Sequence, residues 1–103
     1  MSLSPQQRRE YRAIAHNLKP VIIVGDKGLT ENLQEELDRA LTDHELIKIK
    51  VASQDREARQ EAISALCESS GAEVVQTIGK IAVIMRRAKK PNPKLSNLLR
   101  HKN

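Results

Sequence analysis

The residues with the clearest chemical use are Gly25, Asp26, Lys27 and Gly28, a Gly-x-x-Gly turn that directly follows a short apolar run. Glycine adopts backbone angles that are closed to other residues, and it lets a ligand approach the main chain. If a helix begins after the turn, its free N–H groups and its dipole favour a phosphate there. Lys27 adds a positive charge, so the pattern indicates contact with a phosphate backbone. The same residues also fit a tight turn in which the glycines serve geometry alone.

Other classes of phosphate site and of catalytic centre have no counterpart in the sequence. The nucleotide-binding patterns G-x-x-x-x-G-K-[ST] and G-x-G-x-x-G are both absent. The histidines (16, 44 and 101) are scattered, and Cys67 is the single cysteine, which favours a small buried side chain over a nucleophile. We therefore expect neither an enzyme nor a metal site, and no cofactor.

Positive charge is concentrated toward both ends of the chain. The net charge is +5, residues 80–103 contain no acid, and residues 30–79 carry most of the acids. A nucleic acid is the leading partner for such a chain, although basic tails are also common on soluble proteins. The candidate nucleic-acid-binding residues outside the turn are basic: Arg8, Arg9, Arg12, Lys19, Lys80, Arg86 and Arg87. Arg8, Arg9 and Arg12 also fit an ordinary solvated helix face.

The near absence of aromatic residues bears on the kind of nucleic acid. Tyr11 is the single aromatic residue, whereas proteins that bind single strands usually stack bases on aromatic rings or arginine planes. If the partner is RNA, we therefore expect contact with phosphates and with the shape of structured RNA. The chain has no long apolar run and no apolar signal region at its N-terminus, and with one cysteine it is expected in the cytoplasm.

Local signals predict the elements that position these residues. Ser4, Pro5 and Gln7 match a capping box at a helix start, and Lys19-Pro20 ends that helix. Residues 21–24 are a continuous apolar run, which predicts a central, parallel strand that is covered on both faces. Thr30 begins a second helix. Residues 46–52 alternate as a strand with Lys48 and Lys50 on one side, where we expect helices to cover much of the surface.

The second half continues the alternation of helices and strands. A third helix opens at Ser53 or Asp55 and ends at Gly71. Two strands follow, joined by Gly79-Lys80, which fits a type II′ hairpin. The predicted order is α-β-α-β-α-β-β, an α/β fold with one four-stranded mixed sheet packed with helices. We assign residues 1–87 to the domain and residues 88–103 to a basic, flexible tail, in which residues 95–99 have the pattern of a helical turn.

Three blocks of the sequence, residues 19–30, 44–50 and 78–84, resemble the bacterial stand-alone CRM domain, the YhbY-like proteins. The resemblance covers about residues 3–87. It implies an RNA-binding domain similar in fold to the C-terminal domain of translation initiation factor three, with the Gly25–Gly28 turn as the RNA contact. It also implies association with precursors of the large ribosomal subunit. Family members often have lysine at the position of Asp26, so we expect affinity to depend more on Lys27.

Two alternatives remain open beside this interpretation. The same basic face suits a DNA-binding or a translation-associated protein, and competition between structured RNA and duplex DNA separates these possibilities. We expect a monomer.

The last strand reads Ile84-Met85-Arg86, where the family usually has Leu-Tyr-Arg, so the arginine matches and the aromatic residue is missing.

Overall fold

A computed structural model describes residues 3–100 and has the predicted order of helices and strands, followed by one additional short helix. The elements are α1 (Pro5–Ala15), β1 (Pro20–Val24), α2 (Glu31–His44), β2 (Leu46–Val51), α3 (Arg56–Ser70), β3 (Glu73–Ile78), β4 (Ile81–Met85) and α4 (Asn97–Arg100). The α/β class and the four-stranded mixed sheet are confirmed.

The helix boundaries follow from local capping. Ser4 and Gln7 form the predicted capping box, with Ser4 Oγ accepting from Gln7 N at 3.1 Å and Gln7 Oε1 accepting from Ser4 N at 3.0 Å. Asp55 caps α3, and Gly71 ends it with a φ of 75°, a left-handed conformation that costs glycine little. These contacts satisfy backbone groups that a helix end leaves without partners.

The strands lie in the order β1-β2-β4-β3. β1 is parallel to β2, while β4 is antiparallel to both β2 and β3. The two-residue turn between β3 and β4 is confirmed, with Gly79 at a φ of 55°. The hairpin therefore places its second strand in the middle of the sheet, beside β2, and its first strand at an edge.

The predicted central position of β1 is wrong, because β1 is an edge strand. Ile22 and Val24 are buried, whereas Val21 and Ile23 keep 54% and 65% of their surface exposed. One side of β1 is covered by α2, but no helix of the described chain covers the other side. A continuous apolar run shows that a strand is apolar on both faces; it does not show that both faces are packed.

The core has two parts, one on each side of the sheet. The larger part lies between the sheet and the inward faces of α2 and α3, including Leu37, Leu41 and Leu66. The smaller part lies under α1, where Tyr11 and Ala15 pack with side chains of β2, β3 and β4. α1 thus fixes the sheet from the side opposite the other two long helices.

Residues 88–100 contact the domain, whereas the predicted flexibility of the tail 88–103 stays a prediction, and residues 101–103 lie outside the described residues. The buried carboxylate of Glu45 accepts from Ala88 N at 2.8 Å and from Ser96 Oγ at 2.7 Å. Asn97 Nδ2 donates to Leu46 O at 2.6 Å. Polar groups buried at the start of β2 need partners, and the tail supplies them through contacts too distant in sequence for a local pattern to reveal.

Candidate nucleic-acid interface

The Gly25–Gly28 turn lies between β1 and α2. Gly28 N donates to Gly25 O at 3.0 Å, which closes the turn. Gly28 has a φ of 66°, in the region that favours glycine, and a Cβ added at either glycine would meet no atom within 4 Å. Gly25, Asp26 and Lys27 are exposed. The backbone of the turn is therefore open to a ligand, with the Lys27 ammonium group beside it.

The start of α2 contributes less to anion binding than the sequence suggested. Thr30 caps the helix, and its Oγ1 accepts from Leu33 N at 3.1 Å. Glu31 then places a carboxylate in the first turn. One of the free N–H groups is already satisfied, and a negative charge lies beside the others. A phosphate at this position would therefore depend mainly on Lys27 and the backbone of the glycine turn.

The same end of the sheet holds the hairpin turn. Val51 N donates to Lys80 O at 2.7 Å, and Ala52 N donates to Val24 O at 2.9 Å. These bonds tie the ends of β1 and β2 to the β3–β4 turn. Lys80 and the Gly25–Gly28 turn thus belong to one end of the sheet, which we call the turn end and define by residues 25–28, 52–55, 79 and 80.

Lys48 and Lys50 lie on the sheet face that carries α1. Lys48 is half-buried, and Lys50 is exposed between Ile23 of β1 and Ile81 of β4. The sequence favoured helices over much of this surface, but α1 packs on β2 and β3 and leaves Lys50 uncovered. Lys50 consequently lies open to solvent on the face next to the turn end.

Arg8 and Arg86 do not lie at the turn end, and both make structural contacts. Arg8 Nη1 donates to Val74 O at 2.6 Å and to Val75 O at 3.0 Å, which fixes α1 to β3. Arg86 follows the other end of β4, about 20 Å from Lys80 at the usual rise per residue. The sequence could not separate such arginines from a nucleic-acid site, because their partners are remote in the chain.

Arg86 donates to four acceptors on three residues of two helices. Its guanidinium donates to Asp38 Oδ1 at 2.9 Å and to Thr42 Oγ1 at 2.9 Å on α2. It also donates to Asp38 O at 3.1 Å and to Ser70 O at 2.9 Å, the latter at the end of α3. The side chain thereby joins β4 to both helices on the far side of the sheet.

The other basic candidates are more open. Arg9, Arg12 and Lys19 are exposed, and Arg12 lies toward the end of α1 that faces Lys48. Arg87 is exposed and donates to Tyr11 Oη at 3.2 Å. Arg12 lies on α1, which packs on the same side of the sheet as Lys50. For these residues a role in RNA binding stays a prediction.

Within residues 3–100, no group of three or more His, Cys, Asp or Glu side chains is placed to hold a metal ion. None of the helices there is long and apolar enough to cross a membrane. Burial raises the pKa of the Cys67 thiol, which lowers the fraction of reactive thiolate.

Sequence reasoning did not single out Glu45 or the pair Gln76 and Ile78. Glu45 has a φ of 61° and links α2 directly to β2 while its carboxylate binds the tail. Gln76 and Ile78 lie on β3 next to the C-terminal half of α1. No local motif marked the second pair, because the groove beside it depends on how α1 packs across the sheet.

Comparisons with known proteins give a consistent family. A protein of Pseudomonas aeruginosa named a probable RNA-binding protein is 47% identical over 100 residues, covering 97% of this chain and 96% of the relative. A Haemophilus influenzae protein named an RNA-binding protein is 46% identical over 85 residues, covering 82% of this chain and 86% of the relative.

A solved structure agrees with these relatives. The solution structure of a hypothetical protein of Staphylococcus aureus, described as a candidate RNA-binding protein, has a TM-score of 0.75 and 35% identity. It covers 86% of this chain and 93% of its own. The model of the CRS1/YhbY (CRM) domain matches residues 3–86. With a family model matched over most of its length, the chain belongs to the CRS1/YhbY (CRM) domain family.

Proposed function

We propose that the protein binds RNA and holds the phosphate backbone at the turn end. The observation that carries this proposal is the exposed Gly25–Gly28 turn, with open backbone and Lys27 at its tip, in a chain whose relatives are named RNA-binding proteins. A turn of this kind lets main-chain N–H groups reach a phosphate without interference from side chains.

The charges around the turn support a polyanion over a small ligand. Lys27, Lys50 and Lys80 lie at or beside the turn end. Neither of the two ion pairs within residues 3–100 involves them, since those pairs use Arg8 and Arg86. Lysines outside such pairs displace the counterions condensed on RNA when they meet successive phosphates, which makes binding strong at low salt and weak at high salt.

We further propose that the RNA is structured and ribosomal, and that the protein acts in assembly of the large ribosomal subunit. The resemblance to YhbY-like proteins supports this, as does the single aromatic residue, which leaves phosphate and shape as the main features to recognise. The protein is expected to be a cytoplasmic monomer that acts by binding, without catalysis.

Crosslinking in cells tests the proposal. The chain is crosslinked to RNA with ultraviolet light, purified under denaturing conditions, and the attached fragments are sequenced. We expect fragments of large-subunit ribosomal RNA to be enriched over those obtained with a Lys27→Glu variant. Enrichment of messenger RNA alone would contradict the ribosomal assignment.

Purified components separate RNA binding from general attraction to polyanions. A labelled RNA hairpin is first bound to the protein. Unlabelled hairpin RNA, or duplex DNA of the same length, is then added as a competitor at the same salt concentration. RNA should compete at a lower concentration than DNA. Equal competition would favour the alternative, a nucleic-acid-binding protein that does not distinguish the two.

A further inference from the structure

Part of the sheet is apolar, and no element of the described residues covers it. We call it the open sheet face and define it by Val21, Ile23, Lys50, Ile78 and Ile81. Val21, Ile23 and Ile78 keep 54%, 65% and 62% of their surface exposed. These residues share the side of the sheet that α1 packs on, but α1 ends at Ala15, before it reaches them. Contiguous groups of exposed aliphatic side chains commonly mark a binding surface.

A groove runs along the boundary between α1 and the open sheet face. Its volume is about 450 Å³, and its lining includes Arg12, His16, Lys48, Gln76, Ile78 and Ile81. Its floor is aliphatic and its rim, which carries Arg12 and Lys48, is cationic; among residues 3–100 no acidic side chain lines it. Neither Arg12 nor Lys48 belongs to an ion pair within residues 3–100. The rim therefore carries positive charge that the surrounding protein does not neutralise.

This combination of groups matches one nucleotide better than a helix of RNA. A flat aliphatic floor accepts the face of a base, Gln76 offers both a donor and an acceptor for a base edge, and the rim attracts the adjoining phosphates. A base-paired helix presents its bases only at their edges, so the floor would stay empty against it. An apolar protein segment would use the floor but not the cationic rim.

We propose that the groove binds one unpaired nucleotide of an RNA whose backbone is held at the turn end. The inference rests on the proposed function and deepens it, since the turn end anchors phosphates and the groove contacts a base. Continuity supports it: Lys50 lies beside Ile81, which follows Lys80 of the turn end, so one surface joins both sites. The aliphatic floor takes the place of the aromatic rings that the chain lacks.

Two RNA hairpins with one bulged position test the proposal. One probe carries a uridine in the bulge, and the other carries an abasic nucleotide there, so the backbone charge is the same. Affinities are measured by fluorescence anisotropy at constant salt for the wild-type chain. We expect the uridine probe to bind about tenfold tighter, because burying part of one base against apolar side chains has an effect of that order.

Ile78→Ser and Gln76→Ala should each remove most of that preference and leave the affinity for the abasic probe unchanged. Both positions have exposed or half-exposed side chains, so the fold should persist, and circular dichroism checks this. Leu99→Ser is the matched control, because Leu99 is 40% exposed on α4, away from the groove. It should keep the full preference for the uridine probe.

Several results would overturn the proposal. Equal affinity of the wild-type chain for both probes would show that the base is not contacted, while RNA binding itself would stand. If Ile78→Ser lost affinity for both probes and the ratio of the two dissociation constants stayed the same, this would also show that the groove does not contact the base. A dimer in sedimentation equilibrium that Ile23→Ser dissociates would assign the open sheet face to a second copy of the chain. Failure to bind either probe would refute both the groove and the proposed function.

Discussion

Arg86 offers a sharp contrast between the role expected from the sequence and the contacts in the structure. The sequence places Arg86 among the RNA-binding residues, whereas in the structure its guanidinium donates four hydrogen bonds to Asp38, Thr42 and Ser70. We predict that Arg86→Ala lowers the free energy of unfolding and leaves the RNA affinity of the folded protein within about twofold of wild type, because the site is far from the turn end.

The magnitude follows from the exposure of each partner. Asp38 is 70% exposed, so the ion pair itself contributes about 0–1 kcal/mol. The bonds to the Ser70 and Asp38 carbonyls come from a charged donor whose side chain is 22% exposed. Bonds of this kind contribute about 1.5–3 kcal/mol each at most and are not additive. We expect a total loss of about 2 kcal/mol, which lowers Tm by about 10 °C for a domain of this size.

Thermal unfolding followed by circular dichroism measures the stability change, and fluorescence anisotropy at a temperature well below both midpoints measures the affinity. Arg87→Ala is the matched control, since Arg87 is exposed and its side chain makes one hydrogen bond within residues 3–100, to Tyr11. Its Tm should fall by only a few degrees. An unchanged Tm for Arg86→Ala together with a tenfold loss of RNA affinity would refute the assignment of Arg86 to the fold.

Three further predictions concern the turn and the tail. Lys27→Glu should weaken RNA binding by about tenfold or more at low salt with an unchanged Tm. Lys90→Glu, on the tail, is the control and should weaken RNA binding less. Equal losses of affinity in the two variants would argue against a specific role for the turn. Gly28→Val should lower the free energy of unfolding by about 1–2 kcal/mol, because residue 28 has a φ of 66°, which favours glycine. Gly25→Ala should have the same Tm as the wild-type chain. Glu45→Ala should speed amide hydrogen exchange across residues 88–100, and unchanged protection there would contradict the role of this carboxylate.

The elements of the fold could be predicted because their signals are local. Ser4 and Gln7 mark the start of α1 within four residues, and Gly79 marks the hairpin by the conformation that a tight turn requires. The helical spacing of Leu33, Leu37 and Leu41 marks the buried face of α2. In each case the residues that interact are neighbours in the chain, so the pattern and the contact coincide.

The functional surface was harder to predict because it depends on contacts between distant residues. The apolar run of β1 does not say whether another strand or solvent lies beside it, and the structure places it at the edge. Arginine is a residue type that commonly binds phosphate. The guanidinium groups of Arg8 and Arg86, however, donate to carbonyl groups more than ten residues away in the sequence. The groove beside Gln76 exists because α1 is too short to cover the sheet, a property of packing that no local motif records.

The dependence of RNA affinity on salt concentration tests the central claim most directly. The dissociation constant of a structured RNA hairpin is measured between low and moderate salt for the wild-type chain and for Lys27→Ala. If the turn end holds the phosphate backbone, the logarithm of affinity should fall steeply with the logarithm of salt concentration, and Lys27→Ala should reduce the slope by about 1. A flat dependence for the wild-type chain, or an identical slope for the variant, would contradict the account.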